Sequence, residues 1–234
     1  MKASFWVIAT ILFGCISETY AADSPPWQQE FYPPNGKGRV VIVVTGHTGP
    51  RSYAYYAKDI AEQGYYAVLV DGNDFWSKGL GGRGQDLLRG VIARAQQSPH
   101  ALPGKAAVIS FSQGGGATLT WATRMSNSVS AVVNYYPDTK SITNPDALVS
   151  KINVPTLIFA GVLDTYRDCC VIERVRKLAA AAEAQAGGGE AILRVVEYPD
   201  AGHGFCIKNS KSWRGNDAAD AFRRTLDYLR RNSA

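Results

Sequence analysis

Apolar residues along this chain fall into short unbroken runs, separated by longer stretches in which apolar and polar positions alternate at helical spacing. The runs predict strands at Arg39 to Thr45, Tyr66 to Asp71, Ala106 to Ser110, Ala131 to Tyr135, Thr156 to Gly161 and Ala191 to Glu197. The first is nearly all valine and isoleucine, the mark of a strand covered on both faces. Between the runs, the periodic stretches predict helices at Tyr53 to Gln63, Gly82 to Gln97, Gln113 to Arg124, Val171 to Ala186 and Ala218 to Arg231, with Gly64 a C-terminal stop for the first. Strands alternating with helices imply an α/β fold: a mostly parallel sheet, right-handed crossovers and helices on both faces. Residues 39–234 read as one α/β domain. Residues 22–38, rich in proline and aromatics, read as an extended arm or short edge strand. The segment from Pro137 to Val154 is too short to hold a cap domain, so the top of the sheet should be open.

Composition narrows the class. The chain has 234 residues, 46% of them hydrophobic, enough for one sizeable core. Lys2 precedes an apolar stretch from Phe5 to Ile16, and small residues at Thr19-Tyr20-Ala21 suit cleavage, so residues 1–21 read as a secretory signal peptide. As a helix that stretch spans about 18 Å, against roughly 30 Å of hydrocarbon, so no stable membrane span is expected. Export to the periplasm or the exterior follows, with lipid anchoring at Cys15 the minor alternative. The net charge of +5 is spread over the helices, as at Arg223, Arg224, Arg230 and Arg231, and massed in no arm; no nucleic-acid partner is expected.

Candidate chemistry centres on Val108-Ile109-Ser110-Phe111-Ser112-Gln113-Gly114-Gly115-Gly116. A strand stops at a serine boxed by small residues and a helix begins, which is the pattern of a nucleophile elbow. Ser110 stands where the first glycine is usual, and Gly115 and Gly116 are expected to loosen the first helical turn. A serine needs a base and a group to orient that base. The chain has three histidines. His100 sits in the turn before the strand from Ala106 and belongs at the opposite end of the sheet. His47 precedes the elbow. His203, in a glycine-flanked loop, is the candidate base, and Asp164, just beyond the run from Thr156, is the candidate acid. The order Ser112, Asp164, His203 is that of the α/β-hydrolases and of no other common serine-hydrolase fold.

Acyl transfer also needs two N–H groups aimed at the developing oxyanion. The amide of Gln113 is the first candidate, and that of His47 the second, with Thr48 in reserve. Phe75 and Trp76, in an expected loop from Gly72 to Gly84, and Tyr135 are candidate substrate contacts; Tyr136 and Arg167 lie close enough to strand ends to join them. In an oxidising compartment the mature chain would keep Cys169, Cys170 and Cys206. A bridge from Cys169 or Cys170 to Cys206 would tie the acid loop to the base loop, at about 3.5 to 4 kcal/mol by chain entropy. Free thiols or a bond between the adjacent pair are the alternatives. No metal or cofactor is expected.

On Ser110-Phe111-Ser112-Gln113-Gly114-Gly115, Gly161-Val162-Leu163-Asp164 and Ala201-Gly202-His203-Gly204-Phe205, the chain from Arg39 to Arg231 resembles the dienelactone hydrolase family. The resemblance implies an uncapped α/β-hydrolase acting on small esters or lactones. It also marks departures. Ser112 stands where the namesake enzyme uses cysteine, no glutamate lies between Val40 and Ile60, and Cys206 stands where a substrate-binding arginine would be expected. A general carboxylesterase is the better expectation, with dienelactone hydrolase proper or a non-catalytic binding domain as alternatives.

Overall fold

The computed structural model describes residues 27–77, 83–208 and 210–232. The expected signal peptide, Cys15 and the first part of the arm lie outside them. Seven strands, β1 (Gln28–Phe31), β2 (Val40–Val44), β3 (Tyr66–Val70), β4 (Ala106–Phe111), β5 (Val129–Tyr135), β6 (Thr156–Gly161) and β7 (Leu193–Tyr198), form one sheet in the order β1-β3-β2-β4-β5-β6-β7. Only β1 runs antiparallel, pairing Gln28 with Val70 and Phe31 with Ala67. The arm is therefore an edge strand, as its composition allowed. All five residues of β2 are buried, as expected for a strand covered on both faces.

The helices are α1 (Ala54–Glu62), α2 (Gly72–Ser77), α3 (Arg83–Gln96), α4 (Ser112–Thr120), α5 (Pro145–Val149), α6 (Ile172–Ala186) and α7 (Gly215–Arg231). Successive residues of a strand face opposite sides, and the packing follows that alternation. Val41, Val43, Ile109, Phe111, Val133 and Phe159 meet α1 and α7. Val40, Ile42, Val44, Val108 and Val132 meet α3 and α4, and Ile158 and Ala160 meet α5 and α6. Gly64 ends α1 at φ +94°, a conformation that favours glycine.

Two expectations change here. The stretch expected as a loop from Gly72 to Gly84 begins as helix α2 and ends inside α3; residues 78–82 lie outside the described set. Asp71 starts α2 by accepting a hydrogen bond from the Asn73 amide at 3.0 Å, the capping role that aspartate fills at helix starts. The helix then drives Phe75 into the core, 1% exposed beside Leu88 and Trp121. His100 sits far from the top of the sheet, its Nδ1 2.8 Å from the Gly36 carbonyl and its ring against Tyr32. Among the described residues, no helix is long and apolar enough to cross a membrane.

Candidate active site

Ser112 sits where β4 gives way to α4, at φ +49°. A side chain in that region costs on the order of 1 to 3 kcal/mol, so neighbouring contacts must hold it. Those contacts are backbone contacts. A Cβ on Gly114 would lie 2.3 Å from the Thr45 carbonyl oxygen, one on Gly115 2.9 Å from Pro137, and one on Gly116 2.5 Å from the Asp138 carbonyl oxygen. The glycines therefore serve close packing; the loosening expected of Gly115 and Gly116 is not their role. The Asp138 amide also donates to the Ser112 carbonyl at 2.8 Å. Ser110, in the place of the usual glycine, is fully buried, and its hydroxyl joins Thr118 at 2.6 Å and the Asn134 side-chain oxygen. A serine fits there because it has polar partners inside the fold.

From Ser112 a chain of hydrogen bonds runs inward. Its Oγ lies 3.0 Å from His203 Nε2, and His203 Nδ1 lies 2.8 Å from Asp164 Oδ2. Asp164 is 2% exposed, and its other oxygen accepts from the Tyr166 amide at 3.0 Å. A buried carboxylate so placed requires a proton on Nδ1, which leaves Nε2 to accept from the serine hydroxyl. Two aromatics fix the imidazole plane. Tyr166 stacks on it with centroids 4.4 Å apart and planes 9° apart, and Tyr136 meets it edge-on at 4.8 Å.

The acid and base loops are joined by backbone. The Leu163 amide donates to the Ala201 carbonyl at 2.9 Å, and Gly161 leaves no room for a Cβ against that same oxygen. The expected bridge to Cys206 is absent: Cys169 and Cys170 bond to each other, and Cys206 is a buried free thiol. The Cys206 Sγ instead lies 3.1 Å from the Tyr136 hydroxyl. Burial pushes its thiol up to about 12, so it stays protonated and unreactive.

Other predicted positions divide. His47 and Thr48 are exposed at the mouth of the pocket, and Gln113 opens α4, in the first turn, whose amides have no partner within the helix. Trp76 donates through Nε1 to the Gln113 carbonyl at 2.6 Å, so it braces the start of α4 and is not among the pocket's lining residues. Phe75 and Tyr135 are core residues, 1% and 0% exposed, and cannot touch substrate. Tyr135 instead bonds Tyr56 at 2.8 Å and Thr225 at 2.7 Å through its hydroxyl. Tyr136 is buried beneath His203, and Arg167 lies over the outer face of Tyr166. The pocket above Ser112 has a volume of about 200 Å³, and Tyr53, Tyr166, Ile207, Ser210 and Ser212 share its wall with His47 and Thr48. The sequence reading missed Tyr166, although it stands two positions from the acid, because nothing in the local pattern tells that its ring covers an imidazole.

Comparison with known proteins agrees with this architecture. The model of the dienelactone hydrolase family matches residues 72–233. A Klebsiella pneumoniae protein described as a dienelactone hydrolase superposes with a TM-score of 0.72 at 20% identity, covering 87% of this chain and 98% of its own. A dienelactone hydrolase-like promiscuous phosphotriesterase from metagenomic libraries gives 0.71 at 15% identity, over 88% and 92% of the two chains. Esterase 2 of Thermogutta terrifontis gives 0.63 at 16%, over 87% and 88%. At these identities the solved structures speak for the shared fold. Curated proteins provide no match by sequence. The family model spans well over half of the chain, which therefore belongs to the dienelactone hydrolase family and is a carboxylic ester hydrolase of α/β-hydrolase fold.

Proposed function

We propose that the protein is an exported serine esterase that cleaves small carboxylic esters or lactones through an acyl-enzyme. The observation that carries this reading is the unbroken chain from Ser112 Oγ through His203 to the buried Asp164 carboxylate, beneath a pocket of about 200 Å³. His203 Nε2 takes the hydroxyl proton as Ser112 attacks the ester carbonyl, and Asp164 stabilises the imidazolium that forms. The tetrahedral oxyanion is met by the amide of Gln113, reinforced by the positive end of the α4 dipole, and by the amide of His47. Protonated His203 then delivers its proton to the leaving alcohol. Water, activated by the same imidazole, releases the acid.

The pocket is below the roughly 300 to 1,000 Å³ common for drug-sized ligands, which favours short acyl groups. Serine as nucleophile, with no glutamate from Val40 to Ile60 to hold a thiolate, favours simple esters over a dienelactone. Residues 1–21 supply the export signal, and the Cys169 to Cys170 disulfide suits the compartment it leads to. Hydrolysis of p-nitrophenyl acetate by the mature protein tests the reading. Ser112→Ala should lower turnover on the order of a millionfold with an unchanged circular dichroism spectrum, and retained turnover would refute the assignment.

A further inference from the structure

Beyond Asp164 the acid loop carries a pair of sulfurs that ester hydrolysis does not use. The chain turns through Arg167 and Asp168 at φ +47° and +52°, then re-enters the fold at Cys169 and Cys170, 8% and 1% exposed. Thr139 pins the end of the loop, with its amide 2.8 Å and its hydroxyl 3.2 Å from the Cys169 carbonyl. Both sulfurs and a ring nitrogen of His203 lie within 4.8 Å of one another. Buried cysteines are ordinarily inert packing, but here two of them converge on one imidazole. We propose that Cys169, Cys170 and His203 are a redox-gated site for a soft divalent cation, zinc or cadmium, whose occupancy switches the hydrolase off.

The sulfurs are bonded to each other in the structure, and in that state they have no thiolate to offer a metal. A dithiol reductant passes two electrons and two protons to the pair, giving two thiols and its own disulfide. A divalent cation then displaces both thiol protons and forms two metal–sulfur bonds and one metal–nitrogen bond. Thiolate with imidazole is the donor set that borderline and soft cations prefer. Bond lengths of about 2.3 Å to sulfur and 2.0 to 2.1 Å to nitrogen put tetrahedral ligand atoms about 3.5 to 3.8 Å apart. Released sulfurs must open from bonding distance to that spacing, and the imidazole must approach by about 1 Å from the present 4.8 Å limit. Both ring nitrogens are already committed, one to Ser112 and one to Asp164. Whichever one binds the metal, a link of the chain from serine to aspartate breaks.

The test compares oxidised protein with protein reduced by dithiothreitol and freed of reductant without air. Cadmium is titrated into each while the thiolate-to-cadmium ultraviolet band and p-nitrophenyl acetate hydrolysis are followed. Reduced protein should develop the band, saturate at one cadmium per chain and lose turnover at least tenfold, with recovery on adding EDTA. Oxidised protein should do neither. A Cys169→Ser, Cys170→Ser double variant should show no band and the same turnover with and without cadmium, whereas Cys206→Ser should respond as the reduced parent does. If the double variant does not fold, Cys170→Ser alone should abolish saturation at one equivalent. The proposal is overturned by a reduced parent without the band, by a band with no loss of turnover, or by a double variant as sensitive as the parent. Three free thiols in the air-purified, denatured protein would overturn the gate. The band reads binding without hydrolysis, so a protein that binds cadmium yet never cleaves esters would count against the proposed catalysis alone.

Discussion

The two sides of the candidate site are built by different means. The serine side is held by backbone: Gly114 passes Thr45, Gly115 passes Pro137 and Gly116 passes Asp138, each too close for a Cβ. On the base side the backbone joins the loops, Leu163 to Ala201, but the imidazole itself is held by side chains brought from distant parts of the chain, with Tyr166 on one face of His203, the edge of Tyr136 against the ring, and Cys169 and Cys170 nearby. Backbone packing of the first kind leaves a local trace, because only glycine permits it. A cage of side chains leaves none, since a tyrosine or cysteine in a loop does not tell which side chain it will pack against. The serine side should accordingly fail abruptly when substituted, and the base side by degrees.

Gly114→Ala is the strongest way to break that contrast. Its methyl would meet the Thr45 carbonyl oxygen, and neither β2 nor α4 can move freely. Overpacking of this kind costs about 1 to 3 kcal/mol, or about 2 to 12 °C of melting temperature for a chain of this size. Displacing Ser112 by about 1 Å should in addition lower kcat by around a hundredfold. Thermal melts and ester kinetics on one preparation read both. Equal stability and turnover would mean that the glycine wall is not what holds the elbow.

Tyr166→Ala probes the other side. The stack on His203 is worth about 0.5 to 1.5 kcal/mol, so kcat should fall roughly twofold to tenfold, with little change in melting temperature because Tyr166 is 38% exposed and outside the core. Tyr166→Phe should restore the rate, since the ring and not the hydroxyl makes the contact. A loss as large as that of Gly114→Ala would erase the distinction between the two sides.

The smallest effect concerns pH. Burial raises Cys206 to about 12 and holds Tyr136 and Tyr135 above the usual phenol value. Groups whose folded value is raised add stability that is complete below the ordinary thiol and phenol values, about 8.5 and 10, and lost as pH rises through the folded ones. The melting temperature should be level from pH 7 to 8 and decline above about pH 9. Iodoacetamide should modify Cys206 only after unfolding. Fast modification of the native protein at pH 8 would show that the cluster beneath His203 is open.

These differences also explain what the sequence disclosed. The strands, the longer helices and the order Ser112, Asp164, His203 were legible because each rests on local periodicity or on a strand end. Phe75 and Tyr135 were misplaced because an aromatic near a strand end can point up to the pocket or down into the core, and packing decides. The short helix α2 was hidden by Gly72 and by the glycines that follow it in the sequence, although Asp71 carried the cap signal. Cysteine pairing was not legible because it depends on where each side chain packs, and Cys206 packs against the Tyr136 hydroxyl while Cys169 and Cys170 bond to each other.

The central claim is that Ser112 is a nucleophile activated by His203. Labelling the folded protein with a fluorophosphonate probe, followed by peptide mass spectrometry, tests it most directly. One adduct on Ser112, absent from His203→Ala and from heat-unfolded protein, is the predicted result. An unlabelled native protein, or an adduct on any other serine, would contradict it.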